Sequence, residues 1–468
     1  MAFHELGFLF AFFPVAMLLY YFVPKAAKNP ILVLLSLVFF AWGSTEYVLL
    51  LVLLMVFNYF SALQLSTLKE EKPKWAKMVL WSAVAVDLLL LGFFKYRVFL
   101  LENLFAIFGK TPALQEIPAP LGVSFFTFSI LSFLFDVYRD KAEVPRNPLD
   151  FALYVSFFPK LVSGPIVNYG DFTAQLRERK LNLNKIGAGT RQFLIGLAKK
   201  LLIADVLGVT FNAVSALPMD SVSMVSAWLG ALSYTLMLYF DFSGYSDMAI
   251  GIAQMCGFTF GKNFDYPYLA TSITDFWRRW HISLGAWFRD YVYFPLGGSR
   301  VSMPKILRNL MAVWLLTGIW HGASWTFILW GIYHGVLQIL EKFVLKKVLD
   351  KVPNAVKIPL TFLAVVAGWV FFFAPNLGFA VTWLGRMLGV GVKFADATAK
   401  YYLAGSWKIL LIALVGASPL PARVGGQIYR SQSSVPVGLS VIWYGLLLIL
   451  CIAVMTGSTY SSFLYFQF

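Results

Sequence analysis

Charge is what this sequence has least of. Asp, Glu, Lys and Arg make up 13% of 468 residues, against 59% hydrophobic and 18% aromatic. Soluble domains carry roughly 25% charged residues, so composition excludes an ordinary water-soluble enzyme and leaves a polytopic membrane protein. Cysteine is almost absent: Cys256 and Cys451 sit in separate apolar segments, without the spacing of a metal site or redox pair, and read as packing residues. None of the four histidines falls in a His-Glu-x-x-His or comparable spacing, so no metal site is predicted. Gly-x-Ser-x-Gly, a P-loop and a dinucleotide fingerprint are also missing. Covalent serine hydrolysis, ATP-driven transport and redox chemistry lose ground accordingly. The first apolar run, residues 6–23, has no basic region before it and no small-residue cleavage site after it, and reads as a retained segment. Without an internal repeat, coiled-coil heptad or low-complexity tract, residues 1–468 are expected to form a single domain.

What is present is a net charge of +15 gathered in short loops between apolar spans. Positive-inside bias explains that distribution more simply than nucleic acid does. The same loops would gather anionic lipid headgroups or an anionic cytosolic substrate. The rule predicts a path that starts outside the cytosol and runs inward through 6–23 to Lys25 and Lys28. A hairpin of 31–42 and 47–65 follows, then an outward span at 75–94 and a return at 121–137 that delivers Arg139, Lys141 and Arg146. Lys95 and Arg97 break the rule and are expected to snorkel. Residues 151–167 are too short and too broken by Pro159, Lys160, Gly164 and Pro165 to cross, and read as re-entrant. Residues 191–216 and 225–242 cross next, with Lys199 and Lys200 as either snorkelling anchors or anion contacts. Residues 310–340, bracketed by Arg308 and Lys342, must leave and re-enter within two short helices, and spans at 358–373, 408–420 and 437–455 complete about twelve crossings, with both termini outside and 380–402 an interfacial helix.

Three places carry chemistry. Asp241 and Asp247 interrupt an apolar pattern; capping at a helix break accounts for one, and the second favours a polar interior. Residues 261–309 form the longest basic, amphipathic section, centred on Asp275-Phe-Trp-Arg-Arg-Trp-His281. Interleaved aromatic and basic residues suit a helix in the membrane interface, or equally the phosphates and adenine of a nucleotide-like donor. His321 lies in the nearly uncharged stretch 310–330, where an ionisable group is a functional candidate by default. The alternative is a neutral imidazole bonded to a backbone carbonyl. At about 1.5 Å per residue, the thirteen residues from Arg308 place it roughly 20 Å into a layer of about 30 Å. Gly322-Ala-Ser324 makes a small-residue break beside it, and His334 is expected to be packed or to face the same cavity. A buried imidazole of this kind could take a proton from an alcohol attacking a carbonyl.

Pro159-Lys-Leu-Val-Ser-Gly-Pro165, Tyr239-Phe-Asp-Phe-Ser-Gly-Tyr-Ser-Asp247, Asp275-Phe-Trp-Arg-Arg-Trp-His-Ile-Ser283, Phe288-Arg-Asp-Tyr291 with Pro295-Leu-Gly-Gly298, and Gly318-Ile-Trp-His-Gly322 stand in this order. Jointly they resemble the membrane-bound O-acyltransferase family, and specifically its alginate O-acetyltransferase branch. The resemblance is strongest from Pro159 to His334, within a motif-rich core at 121–345; before 121 and after 373 it is mainly hydropathy. It implies an all-α polytopic membrane protein, a bundle of about 11–12 transmembrane helices with re-entrant and interfacial helices around a tunnel. It also implies a place in the bacterial cytoplasmic membrane, a thioester donor entering from the cytosol and an acceptor approaching from outside. His321 matches the family's near-invariant histidine and inherits its catalytic role. His281 matches the second polar position and would orient the acyl group or polarise its carbonyl. Trp280, Trp320, Arg278, Arg279, Lys199, Lys200, Asp241 and Ser324 are the expected donor and acyl contacts. No metal or permanently bound cofactor is expected, and acetyl-CoA or another acyl thioester serves as donor. A separate exported acetyltransferase of the SGNH type, or a glycan acceptor, is the implied partner beside membrane lipids, with no nucleic acid. Two rivals stand: a sister enzyme moving D-alanine from a carrier-protein thioester toward teichoic acid, and a non-enzymatic transporter of glycan or lipid.

Overall fold

Helices begin where proline and short polar side chains punctuate the apolar runs. Pro73 and Pro148 stand in first turns, where a missing N–H costs nothing. Asn147, Ser272, Ser324, Asn376 and Asp396 each cap a helix by accepting a backbone N–H. The computed structural model describes residues 2–110, 112, 114–179, 181–430 and 434–457, and no strand occurs among them. Along the chain the helices are α1 (Phe13–Phe22), α2 (Lys28–Ser44), α3 (Val48–Glu71), α4 (Pro73–Ile107), α5 (Val123–Tyr138), α6 (Pro148–Ser156), α7 (Phe158–Leu161), α8 (Tyr169–Glu178), α9 (Leu183–Ala198), α10 (Asp205–Ser215) and α11 (Met224–Met255). They continue as α12 (Ile273–Arg279), α13 (Ile282–Phe288), α14 (Met303–His321), α15 (Trp325–Ile339), α16 (Lys346–Leu349), α17 (Asn354–Phe373), α18 (Leu377–Met387), α19 (Ala397–Gly416), α20 (Leu420–Arg430) and α21 (Ser434–Gly457).

Two compact units result: Met1–Phe193 with Met248–Gly261, and Leu194–Asp247 with Lys262–Phe468. In the first, the rings of Phe8, Phe12, Phe39 and Phe158 interlock at 5.5–6.1 Å. The broken element expected at 151–167 is here α6, α7 and a turn, buried almost throughout. Backbone packs directly on backbone: a Cβ on Gly122 would lie 2.3 Å from the Leu161 carbonyl oxygen, and one on Gly164 would lie 2.4 Å from that of Pro159. Irregular backbone at depth survives because protein surrounds it. The Lys160 ammonium donates to Ser129 Oγ at 2.9 Å and sits 4.2 Å from the centre of the Tyr154 ring.

In the second unit, Val214, Ala227, Ala231, Val366, Val370 and Trp383 form a core shared by α10, α11, α17 and α18. Beside it, α14 and α15 make a close hairpin on small residues. A Cβ on Gly318 would come within 2.5 Å of the Phe327 carbonyl oxygen, and one on Gly331 within 2.4 Å of that of Trp314.

Five helical stretches are long and apolar enough to cross a bilayer by themselves: Lys25–Glu71, Pro73–Ile107, Trp325–Val344, Asn354–Phe373 and Gly438–Gly457. The bent pair Ala397–Gly416 and Leu420–Gln427 would make a sixth. The rest of the expected crossings fall on helices that are shorter or carry polar groups. Several local expectations are corrected. Helix α11 runs unbroken through Asp241 and Asp247, because both carboxylates find partners without a cap. Residues 380–402 are the end of α18, a turn and the start of α19, separated at Gly389 and Gly391, both at positive φ, rather than one interfacial helix. Helix α4 continues past 94 through Lys95 and Arg97, with the Arg97 guanidinium 5.4 Å from the Phe93 ring and donating to the Gln115 carbonyl. The C-terminal end after 457, expected outside the cytosol, lies outside the described residues.

The hairpin makes a direct prediction. Gly331→Val should destabilise the protein by about 1–3 kcal/mol or more, as overpacking does, seen as a lowered unfolding temperature in detergent. An unchanged temperature would mean that α14 and α15 are not in backbone contact.

Candidate functional site

Helix α14 ends on His321 because Gly322 is extended (φ −174°, ψ 159°), and a Cβ there would lie 2.4 Å from the Phe327 ring. Ser324 then accepts from Thr326 N–H at 3.2 Å and starts α15. The His321 imidazole is thereby held at the carbonyl end of a helix, 4% exposed. Around it stand Trp320 and Trp330, both at 4.9 Å, Phe372 at 5.0 Å and Phe327 at 6.4 Å between ring centres.

Trp320 also lies 6.2 Å from the ring of His281. His281 is positioned quite differently. Helix α12 is started by Ser272, whose Oγ accepts from Asp275 N–H, and by the Glu341 carboxylate, which accepts from Ile273 N–H at 2.6 Å. It stops at Arg279, so Trp280 and His281 lie beyond its end. Trp280 turns inward against Trp369 at 4.9 Å and Phe264 at 5.1 Å. His281 takes a left-handed conformation (φ 45°, ψ 54°), uncommon for a residue with a side chain. Its ring is 2% exposed, edge-on to Phe242 at 4.7 Å, with Nδ1 3.3 Å from Asn263 Oδ1. Burial pushes this imidazole down to about 3, so it is neutral at physiological pH.

The structure thus brings Trp280, His281, Trp320 and His321 into one aromatic-walled group. It does not bring the other expected contacts there. Arg278 is exposed on α12, Arg279 pairs with Asp275 at 2.9 Å, and Ser324 is a helix cap. Lys199, Lys200 and Asp241 belong to an internal charge cluster. Lys200 lies between Asp205 at 2.6 Å and Asp241 at 2.8 Å, and Lys199 meets Asp247 at 2.6 Å. The two lysines are therefore neither snorkelling nor free anion contacts, and this third arrangement corrects both readings. A π-turn at Lys199–Ala204 sends both ammonium groups to α11. Gly244 lets that turn approach, since a Cβ there would sit 2.7 Å from the Gly196 carbonyl oxygen.

His334 is packed. Its Nδ1 accepts from Trp277 Nε1–H at 3.3 Å, and Trp314 and Trp330 enclose the ring at 5.4 and 5.1 Å. Sequence reasoning missed Asn263, Ser246, Asp205 and Glu341. Asp205 had a detectable signal, a carboxylate five residues after Lys200 inside an apolar span. The others had none that spacing could reveal.

A helical, multi-pass membrane protein with two buried imidazoles beside one tryptophan is the class these features define. Over residues 36–380 the chain matches the membrane-bound O-acyltransferase family, and it belongs to that family. It is 39% identical to the probable alginate O-acetylase AlgI of Pseudomonas putida, over the full length of both chains. It is also 39% identical to the peptidoglycan O-acetyltransferase of Helicobacter pylori over 82% of this chain and 79% of that one. The teichoic acid D-alanyltransferase of Bacillus subtilis is 32% identical over 48% of this chain and 59% of its own length. The protein is an O-acyltransferase.

The charge cluster is testable as architecture. Lys200→Met leaves two carboxylates facing each other in a buried site and should cost about 3–5 kcal/mol, the range for one partner removed from a buried pair. Neutralising the partners as well, with Asp205→Asn and Asp241→Asn, should restore most of the unfolding temperature. A Lys200→Met protein that stays fully stable but loses donor affinity would return this lysine to the donor site.

Proposed function

We propose that the protein carries an acetyl group from a cytosolic thioester, acetyl-CoA or a close analogue, across the bacterial cytoplasmic membrane for O-acetylation of an extracellular polysaccharide or cell-wall glycan. The observation that carries this reading is His321, fixed at the end of α14 with Trp320 between it and His281, in a chain similar over its whole length to an alginate O-acetylase. In this reading both compact units serve one acyltransferase domain, and a tunnel brings donor and acceptor to His321 from opposite faces.

The chemistry is acyl transfer. The acceptor hydroxyl oxygen attacks the thioester carbonyl carbon, His321 takes the hydroxyl proton, the C–S bond breaks and the thiolate leaves, receiving the proton back. The carbonyl end of α14 favours the positive charge that develops on the imidazole in that step. Trp280 and Trp320 wall the acyl group. Exposed Arg278 is free to meet the donor's phosphates, while Arg279 is partly engaged by Asp275. No permanently bound cofactor is invoked; the thioester is substrate. A separate exported transferase of the SGNH type is the proposed partner that delivers the acetyl group to the glycan.

D-alanyl transfer is the less favoured reading, because the D-alanyltransferase match covers 48% of this chain where the acetylating relatives cover 82% or more. Labelled acetyl-CoA supplied to membranes with and without the protein tests the proposal. Label should reach a protein or glycan only when the chain is present. His321→Ala should lower that transfer by about 10²–10⁴-fold, the usual worth of a general base, with folded protein still in the membrane. Equal labelling by that variant would remove His321 from the chemistry. Glycan flux without any acyl transfer would favour a transporter.

A further inference from the structure

Asn263 lies in the loop after α11 and is 2% exposed. Its amide orientation is fixed by a backbone N–H, which admits one role only. Ser283 N–H, which can only donate, lies 3.1 Å from Oδ1, while Nδ2 donates to Ser246 Oγ at 3.0 Å. Ser283 Oγ also donates to Oδ1 at 2.9 Å. The atom facing His281 Nδ1 at 3.3 Å is therefore an oxygen that accepts. Asn263 also holds the backbone immediately after the histidine, since Ile282 N–H donates to the Asn263 carbonyl at 2.9 Å. One side chain and one peptide group thus hold the ring of His281 and the two backbone N–H groups that follow it, at a residue in the left-handed region, where strain persists only if the surroundings over-determine it.

We propose that Asn263 is a positioning residue that holds His281 as the neutral Nδ1–H tautomer, so that Nε2 meets the reaction only as a proton or hydrogen-bond acceptor. A neutral imidazole has one N–H. With it turned to Asn263, none is left to polarise a thioester carbonyl, which separates the two roles open to His281 and leaves acceptance from a hydroxyl or amide of substrate. Ser246 extends the clamp to α11, the helix that also carries Asp241 and Asp247. His334 makes the contrast: a donor faces its Nδ1, so its proton is on Nε2. This inference rests on the acyl-transfer reading for its meaning but not for its test.

The test is the ¹⁵N spectrum of the histidine side chains in the intact protein in nanodiscs, with the His281 signals assigned by their absence in His281→Gln. The expected result is a protonated Nδ1 and a bare Nε2 at neutral pH. A protonated Nε2 overturns the proposal in the wild-type protein alone. Asn263→Leu should give a mixture of tautomers and at least a tenfold loss of transfer, whereas Asn263→Asp, which keeps an accepting oxygen, should keep Nδ1 protonated. An unchanged tautomer in Asn263→Leu overturns the assignment to Asn263. Absence of acetyl transfer with the expected tautomer present would sink the functional reading and leave the tautomer standing.

Discussion

An ammonium group away from water needs compensating partners, and the two carboxylates with which Lys200 meets that demand shape the geometry around α11. Held between Asp205 and Asp241, it joins the start of α10 to the middle of α11. Lys199 and Asp247 add a second tie. Both lysines open the π-turn, and both meet carboxylates of α11. Once α11 is fixed in this way, Phe242 stands edge-on to His281 and Ser246 reaches Asn263. Charge neutralisation in one place thus sets side-chain orientation in another.

Around the second histidine the means is packing rather than charge. Gly318 and Gly331 let α14 and α15 approach until backbone meets backbone, so the end of α14 has little freedom to slide. Trp277, Trp314, Trp330 and Trp369 fill the space beyond with rings 4.8 to 6.3 Å apart. Trp314 Nε1–H is satisfied by Gln338, and Trp277 Nε1–H by His334, which shows why His334 belongs in this layer: it accepts a hydrogen bond that an aliphatic residue could not.

How much of this was legible depended on whether the cause was local. The α14–α15 hairpin and the break beside His321 were readable, because Arg308 and Lys342 bracket the stretch and Gly322 and Ser324 act on their immediate neighbours. The broken backbone of 151–167 was readable from Pro159, Gly164 and Pro165 for the same reason. What failed involved partners distant in sequence. Lys199 and Lys200 find Asp247 and Asp241 some forty residues later, so a local view sees stranded charges and invokes snorkelling, and the same distance makes Asp241 and Asp247 look like a helix break. The turn at His281 was not legible, because nothing in Arg-Trp-His-Ile announces a left-handed residue; the contacts that hold it come from Asn263, eighteen positions earlier.

The two histidines near Trp320 end up under opposite constraints, and that difference bears on how the labour of acyl transfer would divide. His321 sits at a helix terminus among aromatic rings, where position is set by packing and a developing positive charge is favoured by the carbonyl end of α14. His281 sits in a turn, fixed through hydrogen bonds that specify which nitrogen carries its proton. Packing determines where a ring is; hydrogen bonding determines which of its nitrogens carries the proton. A site that needs a proton taken at one point and a substrate group held at another gains from having both kinds of control. Trp320 packs against both rings, at 4.9 Å from His321 and 6.2 Å from His281, and so ties the position of one to that of the other.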